Sequence, residues 1–262
     1  MSVPLPISDF DRWLSRPPAG TARPFVTLNA PPGTLAPGFA AELRNYLASL
    51  DDITDDWRAF ETEQLLDLVT RPLHATNGRA LAPADGCAGC ACPGDDCGTR
   101  RRYKAAVTLV RQIARHGAAV VMMPGACRAT RDYGHAFHVW FECGWEHRVH
   151  RFAQRHHLTT DQAGQELTRL AARQEDWLNS AFGPRNEGCG LFCHLTLNLD
   201  RLGQGPLVEV VGDTVLEWVA ARERRHGAAP VTHDLRGESQ RMPGPPPGRV
   251  IPFPVPMTST RL

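Results

Sequence analysis

Phe25-Val26-Thr27-Leu28-Asn29-Ala30-Pro31-Pro32-Gly33-Thr34-Leu35-Ala36-Pro37-Gly38-Phe39 is the stretch on which the fold turns. Its first four residues favour a strand. The next ten are rich in proline and glycine and read as a loop. Beyond them Phe39, Leu43, Tyr46, Leu47 and Leu50 recur at helical spacing. Strand, glycine-containing loop and helix, in that order, open a nucleotide-binding unit. The plainer alternative is a rigid strand-to-helix connection, because an isolated glycine motif is weak functional evidence.

Working outward, the apolar spacing of Phe60, Leu65, Leu66 and Val69 predicts a second helix over Trp57 to Thr70. A helix from Tyr103 to His116 ends at Gly117. Ala118 to Met123 follows as a continuous apolar run, the pattern of a buried parallel strand, and Ala136 to Phe141 repeats it after the turn-rich segment Pro124 to Gly134. Trp145 to His157 is a densely basic helix. Thr159 or Thr160 caps a long helix reaching Phe182. Leu191 to Leu199 reads as the last strand and Leu207 to Arg225 as the last helix. Strands alternating with helices imply an α/β fold of three layers, a parallel sheet with helices on both faces. Ligands bind such sheets at the carboxyl ends of the strands. The loops after Leu28, Met123 and Phe141 therefore surround one candidate site.

Residues 1–24 form a Pro-rich arm around a short amphipathic piece, Asp9 to Leu14, read as lying on the surface or partly disordered. Residues 25–226 make the α/β domain, interrupted by a Cys-rich insert at 74–102. Residues 227–262 are a Pro-rich flexible tail of extended, polyproline-like character. That tail offers a protein partner a proline-rich segment, unless it is a passive extension.

The chain has 262 residues, 42% of them hydrophobic, enough for a sizeable core. A net charge of only +1 argues against a broad surface for nucleic acid or anionic lipid. No apolar stretch approaches bilayer length, and the N-terminus lacks the basic and apolar regions of a secretory signal. The expectation is a cytoplasmic protein whose eight cysteines are mostly reduced. Lys104 is the only lysine, so no mechanism can use one elsewhere.

Four segments, in order, are VTLNAPPGTLAPGFAAEL, IARHGAAVVMMPGA, HVWFECGWEHRVHRFAQRHHLTTDQA and FCHLTLNLDRL. Together they resemble the cytidylate kinase-like family, a branch of the P-loop nucleoside monophosphate kinases, from about Phe25 to Arg225 apart from the Cys-rich stretch. The resemblance implies a three-layer P-loop kinase-like sheet, ATP with Mg²⁺ as cofactor, and phosphoryl transfer to a nucleoside monophosphate or similar small acceptor. It places Gly33, Thr34 and Gly38 on the phosphate loop, and Asn198 and Asp200 near the base. Ordinary turn chemistry is the alternative for the last two. It also makes Arg148, Arg151 and Arg155 the catalytic arginines of a mobile lid. Their spacings of three and four put them on one helical face, and guanidinium binds phosphate bidentately. A solvated basic face is the plainer alternative. Arg173 falls where the family's long helix often carries a substrate-facing arginine. His194 replaces an aspartate of the family and reads as a packed residue.

Departures from the family pattern bear on activity. Leu35 and Ala36 replace two loop glycines, and Pro37 removes a backbone donor where an arginine is common. Asn29-Ala30 stands for Ser-Arg, and Met123-Pro124 for Gly-Arg. A phosphate cradle needs free amides and a cation. The expectation is a cytidylate kinase-like nucleotide-binding protein with weakened or lost transfer; the alternative is a non-catalytic nucleotide- or metal-sensing regulatory protein on a kinase scaffold.

Cys87, Cys90, Cys92 and Cys97 supply four thiols within a Gly-, Ala- and Pro-rich segment. Four thiolates suit a closed structural zinc site, or an iron–sulfur cluster. Incidental thiols or a labile disulfide pair are the plain alternatives. The resemblance places this insert where monophosphate kinases bind the substrate monophosphate. Cys127, Cys143, Cys189 and Cys193 read as small apolar core residues.

Overall fold

The structure is a computed structural model that describes residues 7–15, 23–50, 57–70, 96–183, 192–202 and 206–227. In chain order the elements are α1 (Ile7–Ser15), β1 (Phe25–Asn29), α2 (Phe39–Leu50), β2 (Arg58–Glu61), α3 (Thr62–Leu68), α4 (Asp96–His116) and β3 (Ala119–Met122). There follow α5 (Ala126–Ala129), β4 (Ala136–Glu142), α6 (Trp145–His156), α7 (Thr160–Phe182), β5 (Leu195–Asn198), α8 (Leu199–Leu202) and α9 (Leu207–Gly227).

The five strands form one sheet in the order β2-β3-β1-β4-β5, and every neighbouring pair is parallel. Strand β1 is central: Phe25 stands beside Ala119 on one side and Ala136 on the other. All five of its residues are buried, as a strand covered on both faces requires. Alternate residues feed two cores. Phe25, Phe60, Val121, Leu109 and Ile113 belong to the core under α4 and α7. Val26, Leu28, Val120, Val139 and Phe141 belong to the core under α2 and α9. Each fully buried side chain of this size is worth roughly 1.5–3 kcal/mol. A third, smaller cluster of Phe152, Ala153, Ala163 and Leu167 joins α6 to α7.

Two segments differ from the expectation. The stretch expected to be helical from Trp57 onward begins as strand β2, with Arg58 to Glu61 in register with Ala119 to Met122. Its apolar residues fit a helix period equally well. Pairing with β3, far along the chain, decides for a strand. Glu61 then starts α3 through a capping box with Gln64. The N-terminal piece read as a surface arm instead sends Phe10 and Trp13 into the core, where both rings meet Phe60 at centroid distances of 5.6 and 5.9 Å. Among the described residues, no helix is long and apolar enough to cross a membrane.

Candidate functional site

Because β3 and β4 flank β1 on opposite sides, the crevice at the carboxyl end of β1 is the natural ligand position. Loop 30–38 leaves β1 there. Asn29, at its root, is buried and fixed: its Nδ2 donates to Thr27 Oγ1 (3.1 Å) and the Val139 carbonyl (3.3 Å), and its Oδ1 accepts from the Cys127 amide (3.4 Å).

The loop is closed on itself and on its neighbours. The Thr34 amide donates to the Pro31 carbonyl (3.2 Å), making a turn around Pro32 and Gly33. Gly33 adopts φ +81°, and a Cβ there would stand 2.7 Å from Leu167 Cδ2, so α7 packs directly on the turn. Thr34 is fully buried. The Gly38 amide, at the start of α2, donates to Glu61 Oε1 at 2.6 Å. Burial pushes the Glu61 carboxyl above its usual range, while the Gly38 bond pulls it back down. A carboxylate thus occupies the end of a helix that would otherwise favour an exogenous anion.

Two arginines of α6 reach the same loop. Arg148 donates through Nη1 to the Pro32 carbonyl (3.2 Å) and through Nε to the Cys143 carbonyl (3.2 Å), with its guanidinium 5.1 Å from the Trp145 ring centroid. Arg155 Nη1 donates to the Leu35 carbonyl (3.1 Å). Arg151 Nη1 lies 3.9 Å from Cys143 Sγ, and its Nη2 is enclosed without a hydrogen-bond partner. Burial lowers the pKa of Arg148 and of Arg155, and the Arg151 charge adds to the effect on Arg155. Of the three arginines expected to share a face, Arg148 and Arg155 therefore reach loop 30–38, while Arg151 lies against Cys143. Arg148 and Arg155 meet its carbonyls, and Arg151 Nη2 has no hydrogen-bond partner.

The compensating acid is Asp200. It accepts from the Gly144 amide at the start of α6 (2.7 Å), from His147 Nδ1 (2.7 Å) and from the Cys143 thiol (3.3 Å). The Gly144 bond, ahead of Cys143 and His147, holds its carboxyl below the usual range. Its own amide donates to Asn198 Oδ1 (2.9 Å), so Asn198 and Asp200 form one turn at the end of β5. The Cys143 thiol is half-buried; burial and the Asp200 carboxylate both raise its pKa, which keeps it protonated rather than nucleophilic.

For a triphosphate with Mg²⁺ the donor set fits poorly. The Glu61 bond would have to break before a phosphate oxygen could meet the Gly38 amide, and no lysine stands in the loop. Glu61 and His147 carry no sequence signal that distinguishes them. Glu61 sits inside a stretch that reads as helix, and His147 is one of several basic residues on α6. Arg173 sets its guanidinium 5.2 Å from the Trp177 ring centroid. Cys87, Cys90 and Cys92 lie outside the described residues, as does the Cys97 side chain in the first turn of α4. Among the described residues, no group of three or more His, Cys, Asp or Glu side chains is arranged to hold a metal ion.

No family model matches this chain, and no curated protein does. A solved structure described as an uncharacterized protein from Eubacterium ventriosum ATCC 27560 is similar with a TM-score of 0.48 at 12% identity, over 76% of this chain and 99% of that one.

Proposed function

We propose that this chain is a nucleotide-binding protein on a cytidylate kinase-like scaffold that holds a small phosphorylated ligand on α6 and does not transfer phosphate along loop 30–38. The observation that carries the reading is the half-buried triad Arg148, Arg151 and Arg155, with Arg151 Nη2 enclosed and unpaired. Desolvated cations without full compensation are unfavourable, and an anion relieves them. A phosphate oxygen is also a stronger acceptor for guanidinium than the loop carbonyls that Arg148 and Arg155 now hold. Against transfer stand the occupied Gly38 amide and the missing loop cation. Positioning and charge stabilisation at the phosphates are most of what phosphoryl transfer asks of a protein.

Calorimetric titration with CMP, CTP and ATP–Mg²⁺, followed by a turnover assay on every ligand that binds, tests this. Saturable CMP binding without consumption of ATP is expected. Production of CDP would overturn the non-transferring part of the reading.

A further inference from the structure

Among the described residues, Glu61 is the acidic side chain that hydrogen-bonds loop 30–38, and no motif points to it. Its carboxylate lies at the carboxyl end of β2 and is held from behind by the capping box with Gln64, whose Oε1 accepts from the Glu61 amide at 3.0 Å. From the front it takes the Gly38 amide at 2.6 Å, at the start of a twelve-residue helix. Earlier along the same loop, Arg148 and Arg155 take the carbonyls of Pro32 and Leu35, and Arg151 Nη2 is left without a partner. The Glu61 carboxylate therefore meets the loop at Gly38, and arginine charge that Asp200 offsets only in part meets it at Pro32 and Leu35.

We infer that Glu61 is a specificity-determining residue: it limits the ligand of the α6 arginines to a single phosphate-sized anion and excludes a polyphosphate chain. This rests on the proposed anion-binding role of α6. A monophosphate reaches the arginines and stops short of Glu61. A polyphosphate running from α6 along the loop toward the start of α2 meets a carboxylate in place of the amide it needs, and like charges in close contact repel. Removing that charge restores the helix end to anions.

The test is titration of wild type, Glu61→Gln and Glu61→Asp with inorganic phosphate and with tripolyphosphate at fixed low ionic strength. Glutamine keeps an acceptor for the Gly38 amide and the capping geometry while losing the charge. Aspartate keeps the charge on a shorter side chain. In Glu61→Gln, tripolyphosphate affinity is expected to rise at least tenfold and phosphate affinity to change less than twofold, with no gain for tripolyphosphate in Glu61→Asp. Thermal melts of all three proteins establish that the variants are folded. An equal change for both anions, a gain in Glu61→Asp, or no gain in a folded Glu61→Gln would overturn the role of Glu61. The anion-binding reading is tested separately, by phosphate binding to wild type. A tripolyphosphate gain in Glu61→Gln without phosphate binding to wild type would uphold Glu61 as the excluding charge and reject the α6 site.

Discussion

His138 is a buried imidazole in the middle of the sheet, 2% exposed, with Nδ1 2.8 Å from Thr27 Oγ1. Asn29 Nδ2 already donates to that oxygen, so the Thr27 hydroxyl proton is available for Nδ1, an arrangement that suits the neutral ring. Burial, reinforced by the neighbouring His194, lowers its pKa to about 4. The unfolded chain, with an ordinary histidine near 6.5, takes up the proton first on acidification. Stability is therefore intact above about pH 6.5 and is lost as pH falls from there through about 4. At pH 5 the loss from this residue is roughly 2 kcal/mol. Urea unfolding at pH 7 and pH 5 should show it in wild type, and the difference should shrink by about that amount in His138→Gln. Gly33 is the second residue with a sharp requirement, since its positive φ strains any side chain and a Cβ there would also push on Leu167 Cδ2. Gly33→Ala is expected to lower stability by about 1–3 kcal/mol in the same denaturation experiment.

At the scale of elements, α2 and α9 pack so closely that a Cβ on Gly212 would stand 2.3 Å from Tyr46 Cδ1. Tyr46 is held in place by its hydroxyl bond to Asp213 Oδ1 at 2.7 Å. Gly212→Ala forces the Tyr46 ring to shift against its Asp213 bond, and a melting temperature lower by about 4–8 °C is expected, corresponding to about 2 kcal/mol. The strands β1, β3 and β4 and the helix α2 were legible in the sequence from continuous or periodic apolar runs, and α7 from its threonine cap. Strand β2 was not. Four residues, Arg58 to Glu61, carry too few positions to separate a strand from the first turn of a helix, and their pairing partner lies some sixty residues away. Missing β2 also hid Glu61, because only the strand brings its carboxylate to the Gly38 amide. The arginine face of α6 could be read from spacing alone. That it would meet loop carbonyls could not, since those contacts depend on how α6 and α7 settle on Gly33.

Across the molecule, the parallel sheet brings loop 30–38, the start of α6 and the end of β5 to one rim, as the alternation of strands and helices implies. The rim sets Arg148 and Arg155 on a loop whose turn, carbonyls and terminal amide are bound by the chain itself, with Arg151 beside them on α6. Asp200 ties β5 to the start of α6 through Gly144 and His147, which fixes the arginine-bearing helix against the sheet. Fold alone does not separate a kinase from a binder; the groups in the site do. The central claim is that α6 holds an anion, and Arg151 carries it most directly because its Nη2 is enclosed without a partner. The decisive measurement is the affinity of CMP for wild type and for Arg151→Ala at low ionic strength. Saturable binding to wild type, weakened about tenfold or more in the variant, is the predicted result, as loss of a charged hydrogen bond implies. No binding to wild type, or equal binding to both proteins, would contradict it.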